Sequence, residues 1–220
     1  MSDTKNIANL IQANYRYFVL FIFIFYIVGF AGLSVSATRS FFVLLTPFAL
    51  LLSSFIVALF HGKFSQKAIL VFVFIFTASF IIEVIGVNTG AIFGGYTYGH
   101  GLGLKLFNTP LIIGLNWLLL VYVSNSVMER TGWNPAMKVF GAAFLMLAYD
   151  VLLEQVAPQL SMWTFDQSPV PLQNYVAWFV LALLFSLAIS VLKIDTKNRI
   201  APVVFGIQTL FFALLLLTLN

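Results

Sequence analysis

Three acidic residues interrupt the apolar runs of this chain, and their types and spacing indicate acid catalysis. Glu83 closes one run, while Asp150 and Glu154 lie in another at an i, i+4 spacing that puts both on one helix face. A charged side chain at the centre of a bilayer costs about 2.5 kcal/mol or more, so acids in such positions are candidates for function. A carboxylic acid that its surroundings keep neutral is able to donate a proton.

The three acids differ in depth along their runs. Glu83 and Glu154 fall near the ends, where an ordinary position at the membrane interface is the alternative to a functional one. Asp150 is seven residues from the end of its run, which is about 10 Å at the helical rise of about 1.5 Å per residue. No basic residue lies at that depth in the sequence. We therefore expect Asp150 to be protonated or hydrogen-bonded, with Asn116 or a tyrosine as its partner.

Two asparagines are expected to join the acids at one end of the helices. Asn116 enters its run to a depth similar to that of Asp150, and Asn174 opens a later run from the same side. The connection over residues 90–103 is rich in glycine but contains no phosphate-binding motif. Either its backbone folds closely over a pocket or it is an ordinary flexible connection, and the sequence leaves both open.

Six aromatic residues fall near the same end of the predicted helices. Most are expected to form an interfacial aromatic belt, and the alternative is a set of π-faces around a developing cation. Trp117 is expected to belong to the site, because it lies deeper and beside Asn116. The six are Tyr96, Tyr98, Trp117, Trp163, Tyr175 and Trp178.

The composition indicates that membrane-spanning helices position these residues. The chain is 61% hydrophobic and 8% charged, whereas soluble domains carry about 25% charged residues. A spanning helix needs about 20 mostly apolar residues. The runs that qualify are 17–33, 41–60, 68–85, 111–128, 139–157, 175–191 and 203–219. The sequence therefore predicts an all-α integral membrane protein, a single domain over residues 1–220 that forms a bundle of seven transmembrane helices.

The basic residues predict the orientation of this bundle, because positively charged loops face the cytoplasm. Arg39 and Lys105 lie on one side of the predicted membrane. The others lie on the opposite side, and they are Lys5, Arg16, Lys63, Lys67, Arg130, Lys138, Lys193, Lys197 and Arg199. We therefore expect a cytoplasmic N-terminus, a C-terminus outside, and a site toward the outer leaflet of a prokaryotic cytoplasmic membrane. Basic residues scattered through short loops fit this topology better than nucleic-acid binding.

Several function classes are excluded by residues that the sequence lacks. There is no cysteine for a thiolate nucleophile or metal ligand. His61 and His100 are the two histidines and are expected on opposite faces of the membrane, which excludes a di-iron or zinc site built from histidines. The last run has no lysine for a retinal Schiff base. Magnesium-dependent membrane prenyltransferases carry a second acidic pair that is missing here, and we expect no metal and no cofactor.

Two stretches of the sequence resemble the CruF-type carotenoid 1,2-hydratases, membrane proteins of carotenoid biosynthesis. The resemblance covers about residues 78–179, and the flanking runs match only in hydropathy. The first stretch carries Glu83, Asn88-Thr89-Gly90, Phe93-Gly94, Tyr96, Tyr98, Leu102-Gly103, Pro110 and Asn116-Trp117. The second carries Asp150, Glu154, Pro158, Trp163, Val170-Pro171, Asn174-Tyr175 and Trp178.

The resemblance implies an acid-catalysed addition of water to the terminal C1=C2 double bond of an acyclic carotenoid end group. Protonation of C2 leaves a tertiary cation at C1, and capture of water there gives a tertiary alcohol. The implied partners are a carotenoid with an acyclic end, such as lycopene or γ-carotene, membrane lipid, and other enzymes of carotenoid biosynthesis. No nucleic acid is implied.

This reaction gives each candidate residue a role. We predict that Asp150 is the general acid, tuned by Glu154 through a shared proton. Glu83, expected to be closest to water, and Asn116 are predicted to hold the attacking water, and Trp117 is predicted to face the cation. The other candidates for binding substrate or water are Asn88, Thr89, Tyr96, Tyr98, Trp163, Asn174 and Tyr175.

Two other functions fit the same acids. A carotenoid cyclase or isomerase would use the same proton donor, but a neighbouring double bond would capture the cation. A non-enzymatic lipid carrier or proton-coupled transporter usually shows inverted repeats and helices broken near the membrane midplane. The sequence shows neither feature, so it favours the hydratase.

The orientation is testable with reporters fused to each end of the chain. An odd number of spans and the bias in basic residues predict that the N-terminal reporter reads as cytoplasmic and the C-terminal reporter as external. Reporters on the same side would contradict seven spans.

Overall fold

The computed structural model describes residues 9–219, so Lys5, predicted to be cytoplasmic, lies outside the described residues. The helices whose two ends are described are α1 (Tyr15–Ser34), α2 (Ser36–Leu44), α3 (Thr46–Leu59), α4 (Gln66–Thr89), α5 (Ile113–Met128), α6 (Pro135–Val156), α7 (Leu172–Val191) and α8 (Ala201–Leu219). The short strands are β1 (Tyr96–Tyr98), β2 (Lys105–Leu106), β3 (Thr109–Pro110) and β4 (Trp163–Phe165), and Pro158–Leu160 forms a 3₁₀ turn.

The prediction of a helical membrane protein is confirmed in one respect, which is the presence of several long apolar helices. Within residues 9–219, five helices are long and apolar enough to cross a membrane, and α2 with α3 would make a sixth. Those two helices are bent by 56° at Leu45, so the expectation of unbroken helices is wrong for the run 41–60. Helix α5, with 16 residues, is shorter than a typical span, because residues 111–112 of the predicted run form a turn after β3. The count of seven spans and the orientation of the termini stay predictions.

Much of the helical surface is apolar and exposed. Large side chains such as Phe41, Phe55, Leu70 and Phe144 are each at least 60% exposed. Apolar surface of this extent is unusual on a soluble monomer and is typical of helices that face lipid. The long helices of the described residues therefore fit a membrane protein.

Local sequence explains where the main helices begin and end. Ser65 caps α4 by accepting a hydrogen bond from the backbone N–H of Ala68. Asn134 caps α6 in the same way, and Pro135 follows at the first helical position. Gly90 ends α4 in a left-handed conformation that favours glycine.

Helix α5 is central to the bundle, and it packs between α4 and α6 while also contacting α8. Most of its side chains are buried, including Trp117 near one end and Tyr122 toward the other. At the far end of α5, Tyr122 Oη is 2.8 Å from His61 Nδ1 and accepts a hydrogen bond from Asn198 Nδ2 at 3.2 Å. Burial lowers the pKa of His61, so this imidazole is neutral at pH 7. This polar cluster lies at the opposite end of α4 from Glu83.

The other end of the bundle is covered by two interhelical connections that pair with each other. Strand β1, between α4 and α5, is antiparallel to β4, between α6 and α7. The register joins Tyr96 to Phe165 and Tyr98 to Trp163. Residues directly opposite in an antiparallel pair point to the same face, so these four aromatic side chains face the helices together. The C-terminal ends of α4 and α6 and the N-terminal ends of α5 and α7 meet beneath them.

Glycine in this cover is required by close approach of two backbones. The N–H groups of Gly99 and Gly101 donate to the carbonyls of Met162 and Ser161 at 2.8 and 2.7 Å. A Cβ at Gly99 would lie 2.2 Å from the Ser161 carbonyl oxygen, and one at Gly101 would lie 2.3 Å from that of Leu160. Of the two interpretations of the glycine-rich connection, the structure therefore shows the close fold of backbone over the end of the bundle.

Gly99→Ala should destabilise the cover, because the added methyl group overlaps backbone that cannot move as a side chain does. We expect a loss of about 1–3 kcal/mol, measured as a lower midpoint of thermal unfolding in detergent. Gly132→Ala is the control, since Gly132 lies in an exposed connection with no atom within 4 Å of a built Cβ. Equal midpoints for the two variants would contradict the packing.

Candidate active site

Glu83 is buried and accepts hydrogen bonds from three side chains. The hydroxyl groups of Tyr96 and Tyr98 donate to Oε2 at 2.6 and 2.7 Å. The indole N–H of Trp117 donates to Oε1 at 2.8 Å. An ionised carboxylate is an acceptor only, so three donors match its charged form. Strand β1 supplies two of the donors because alternate residues of a strand face the same side.

The expectation that Glu83 lies closest to water is wrong. Helix α4 continues to Thr89, so Glu83 is six residues from its last residue. Asp150 is also six residues from the end of its helix, which is Val156. Glu83 is 3% exposed and Asp150 is 0% exposed. The apolar run stops at residue 85, so the sequence analysis ended this helix four residues too early. The connection that follows covers Glu83 on the side where water was expected.

Asp150 and Glu154 share one amide. The Nδ2 group of Asn174 donates to Asp150 Oδ2 and to Glu154 Oε1, at 3.1 Å in each case. The indole N–H of Trp163 donates to Glu154 Oε2 at 2.8 Å. Asp150 Oδ1 is buried and accepts no hydrogen bond from any described residue. The i, i+4 spacing on α6 therefore does align the two acids, and Asn174 at the start of α7 bridges them.

Tyr96 and Tyr98 are fixed as hydrogen-bond donors. Burial, together with the neighbouring Glu83 carboxylate, raises the pKa of both phenols well above the usual value. Both hydroxyl groups therefore keep their protons across the physiological pH range, and Glu83 keeps its donors.

A small cavity lies between the side chains that donate to Glu83 and those that donate to Glu154, and both glutamates line it. Its volume is about 10 Å³, close to the room that one ordered water needs. Asp150 does not line it. The remaining walls are formed by Phe93, Tyr96, Tyr98, Ile113, Trp163, Phe165, Asn174 and Trp178. The arrangement is a water-sized space with two carboxyl groups and mainly aromatic walls.

The interpretation of the aromatic residues as an interfacial belt is wrong for four of them. Tyr96, Tyr98, Trp163 and Trp178 are each at most 8% exposed. Trp117 is buried as well, but it does not line the cavity; its ring stacks on that of Trp178 with centroids 4.0 Å apart. The tryptophans that line the cavity are therefore Trp163 and Trp178, and Trp117 packs behind Trp178.

Four residues predicted to bind substrate or water lie away from the cavity. Asn88 is exposed and fixes the connection through hydrogen bonds to the carbonyls of Val84 and Phe107. Thr89 is also exposed and bonds to the carbonyl of Ile85. Asn116 is buried and Tyr175 is partly buried, but neither lines the cavity.

The sequence analysis missed several residues of the cavity wall. Phe93, Ile113 and Phe165 are apolar residues among many, and no pattern in the sequence distinguishes them. Trp178 was assigned to the belt, yet it lies four residues after Asn174 on the same helix. That spacing puts Trp178 on the same helix face as Asn174. The spacing could therefore have indicated from the sequence that Trp178 belongs to the site.

Comparison with known proteins identifies the family. A family model for carotenoid biosynthesis proteins matches residues 40–219. The chain belongs to this family. A relative, bisanhydrobacterioruberin hydratase from Haloarcula japonica, is 27% identical over 115 residues, which are 46% of this chain and 38% of the relative. The match thus spans well under half of that protein's length. No solved structure matches the chain.

The family and the distant hydratase support a carotenoid-modifying role for this protein. Both halves of the cavity fall within the residues that the family model matches, since Glu83 and Glu154 lie between residues 40 and 219. A role in carotenoid biosynthesis also agrees with the apolar exterior, because a carotenoid partitions into the membrane.

Tyr98→Phe should destabilise the protein through the loss of one donor to a buried carboxylate. Hydrogen bonds to charged groups contribute about 1.5–3 kcal/mol, so the midpoint of thermal unfolding in detergent should fall. Thr97→Val is the matched control, because Thr97 is the exposed central residue of the same strand. A variant of Tyr98 as stable as the control would show that Glu83 does not depend on this hydroxyl group.

Proposed function

We propose that this protein is a carotenoid hydratase, which adds water to the terminal C1=C2 double bond of an acyclic carotenoid end group. The observation that carries the proposal is the water-sized cavity lined by Glu83, Glu154 and aromatic rings. Addition of water to an alkene through a cation needs a proton donor, a proton acceptor, one water and surroundings that stabilise positive charge. The cavity supplies the two carboxyl groups, the ring faces and room for the water, and the end group has to displace part of its aromatic wall to reach them.

The proton comes from the pair of Asp150 and Glu154. A buried carboxylate oxygen without a hydrogen bond is costly when it is charged, and Asp150 Oδ1 is such an atom. Asp150 therefore holds the proton that the pair shares, as the sequence analysis predicts. Glu154 is the member of the pair that lines the cavity, so the shared proton reaches C2 from Glu154. This differs from the predicted role of Asp150 as the general acid, and Asp150 becomes the partner that supplies the proton to Glu154.

Water capture completes the reaction at C1. Protonation of C2 breaks the π bond and leaves a tertiary cation at C1, beside the ring faces of the cavity. The oxygen of water bonds to C1, and the extra proton of that oxygen passes to a carboxylate. Glu83 accepts hydrogen bonds from three donors, which favour its ionised form, and it lines the cavity, so it orients the water and accepts the proton. Return of this proton from Glu83 to Glu154, which lines the same cavity, restores both carboxyl groups, so the sum is alkene plus water to tertiary alcohol with no redox change.

The site's position also supports an orientation. A carotenoid is a long apolar rod that lies within the bilayer, and its end reaches an interface where water is present. The bias in basic residues favours an outer-leaflet position for this end of the bundle. We therefore propose that end groups are hydrated from the outer side of the cytoplasmic membrane.

Expression in cells that make lycopene tests the activity. We expect pigments that have gained the mass of one water per hydrated end. A ring formed at unchanged mass would instead show a cyclase, and unchanged pigment would contradict both enzymes.

Substitution of the acids then separates their roles in purified protein. Asp150→Asn and Glu154→Gln should each lower hydration by about 10²–10⁴-fold, the usual contribution of a general acid. Glu83→Gln should still protonate the alkene but capture water slowly, so in D₂O the recovered alkene should carry deuterium at C2. If Glu83→Gln shows neither exchange nor hydration while Asp150→Asn keeps near-normal hydration, Glu83 is the acid and the assignment is reversed.

A further inference from the structure

The cavity between the two glutamates is too small for the substrate of the proposed reaction. Its volume of about 10 Å³ is close to the room of one ordered water, whereas the C1=C2 unit of an acyclic end carries two methyl groups. Protein interiors are closely packed, so an end group enters only where wall side chains move aside. The contacts of the wall residues indicate which of them can do so.

Most of the wall is held by hydrogen bonds or by a helix. Four of its members donate hydrogen bonds to the carboxyl groups, and they are Tyr96, Tyr98, Trp163 and Asn174. Displacing any of them would remove a donor from a buried carboxyl group, which is costly. Ile113 belongs to α5 and Trp178 to α7, and the ring of Trp178 is stacked on Trp117. These six side chains are therefore the fixed part of the wall.

The remaining wall consists of Phe93 and Phe165, called the phenylalanine pair, which packing alone holds in place. Both come from connections between helices, and both pack on the ring of Tyr96, with centroids 6.0 and 5.3 Å away. The ring of Phe93 also lies against Gly86, where a built Cβ would be 2.5 Å from it. Phe165 is partly exposed, whereas the other lining residues are buried. The phenylalanine pair can therefore move without taking a donor from a carboxyl group.

The connection that carries Phe93 closes the seam between the end of α4 and the start of α7. Gln173 Nε2, on α7, donates to the carbonyl oxygen of Ala91 at 2.6 Å, and this bond is exposed. Gly90 and Gly94 flank residues 91–93 and have φ values of 67° and 91°. Glycine at such positions tolerates large changes in backbone angles. Residues 91–93 are therefore able to swing between two glycines once the bond to Gln173 breaks.

The same seam borders the apolar exterior of the bundle. Helix α7 packs extensively on α6 but makes few contacts with α4. Leu172, next to Gln173, and Val176, one turn further along α7, are both exposed, as is typical of a surface that faces lipid. Deeper in the bundle, Phe74 of α4 and Phe185 of α7 close the seam, with ring centroids 6.4 Å apart. A molecule dissolved in the bilayer thus reaches the phenylalanine pair at the end of the seam beside the cover.

We propose that the phenylalanine pair is the specificity-determining wall of this site, and that an acyclic polyene end enters from the bilayer between α4 and α7 by displacing both rings. The identity of the substrate rests on the proposed function. The rings give way to a slim acyclic end and exclude end groups that are bulkier at C1. The hydrogen bond from Gln173 to the Ala91 carbonyl holds the seam closed between turnovers.

A cross-link across the seam tests the route. The chain contains no cysteine, so a thiol reagent acts only on introduced residues. Ala91→Cys with Gln173→Cys replaces the hydrogen-bonded pair, and a bis-methanethiosulfonate with a short spacer joins the two thiols, which a mass measurement verifies. The linked protein should hydrate an acyclic polyene at least about tenfold more slowly, because the connection cannot open, and a reductant that cleaves the link should restore the rate. An unchanged rate in the linked protein would overturn the route.

Thr97→Cys with Thr164→Cys is the matched control. These two threonines lie directly opposite each other in the β1–β4 pair and are exposed, so the same reagent links the outer surface of the cover. We expect this link to leave hydration unchanged, because the strands stay paired while the phenylalanine rings move. An equal loss of hydration in both linked proteins would show that the whole cover opens, and the seam would then not be the route.

Phe165→Ala tests the specificity, because Phe165 is partly exposed and its ring is easier to remove than the buried ring of Phe93. Two substrates are compared, one with two methyl groups at C1 and one with two ethyl groups. In the variant, kcat/KM for the ethyl substrate relative to the methyl substrate should rise about tenfold or more, since a misfitting methylene group costs that much in an apolar pocket. Phe179→Ala is the control, because Phe179 is partly buried on α7 and does not line the cavity. An unchanged ratio in Phe165→Ala would overturn its role.

A quenching measurement separates the route from the reaction. The probe is an acyclic polyene with a saturated C1–C2 bond and a bromine at C2, which quenches tryptophan on contact but cannot be hydrated. Trp163 and Trp178 line the cavity, and a Trp133→Phe background removes the exposed tryptophan at the other end of the bundle. We expect quenching that the seam cross-link abolishes. Link-sensitive quenching without any hydration of the unsaturated substrate would refute the proposed function alone, and hydration and quenching that both ignore the link would refute the route alone.

Discussion

The need of buried carboxyl groups for hydrogen-bond donors determines how this end of the bundle is built. Helices supply few such donors, because their backbone N–H groups are already used. Glu83 therefore depends on Tyr96 and Tyr98 from a connection and on Trp117 from α5. A connection that donates hydrogen bonds to Glu83 must fold inward over the helices, and that fold forms the small cavity between Glu83 and Glu154.

The sequence predicted the parts of the site that follow helical periodicity. Seven apolar runs fall on helices, and the i, i+4 acids meet Asn174 across α6 and α7. It could not predict the pairing of β1 with β4, because strands of three residues in connections far apart carry no local pattern. The burial of Glu83 and the exchange of roles between Trp117 and Trp178 both follow from that pairing. The sequence could not predict them either.

Polar side chains divide the apolar interior into regions with distinct character. At one end, His61, Tyr122 and Asn198 bond to one another and to backbone. Such mutual satisfaction is expected of groups that fix helices in a membrane. By contrast, Asp150 Oδ1 and Ser54 Oγ are buried oxygens that make no hydrogen bond to the described residues. Asp150 belongs to the region where we assign chemistry, whereas Ser54 lines a separate apolar cavity together with His61 and Tyr122.

The order of the donors along the chain has a consequence for biogenesis. Every side chain that donates to Glu83 or Glu154 follows it in the sequence. During synthesis, α4 thus inserts with its carboxyl group still unpartnered. The apparent penalty is smaller than that of an acid at the helix centre, about 2.5–3.5 kcal/mol, because Glu83 lies six residues from the end of the helix. Helix α4 also has the highest mean hydropathy of the five long apolar helices in residues 9–219. Its apolar residues offset that penalty at the translocon, and they keep the nascent helix in the bilayer until the later helices arrive.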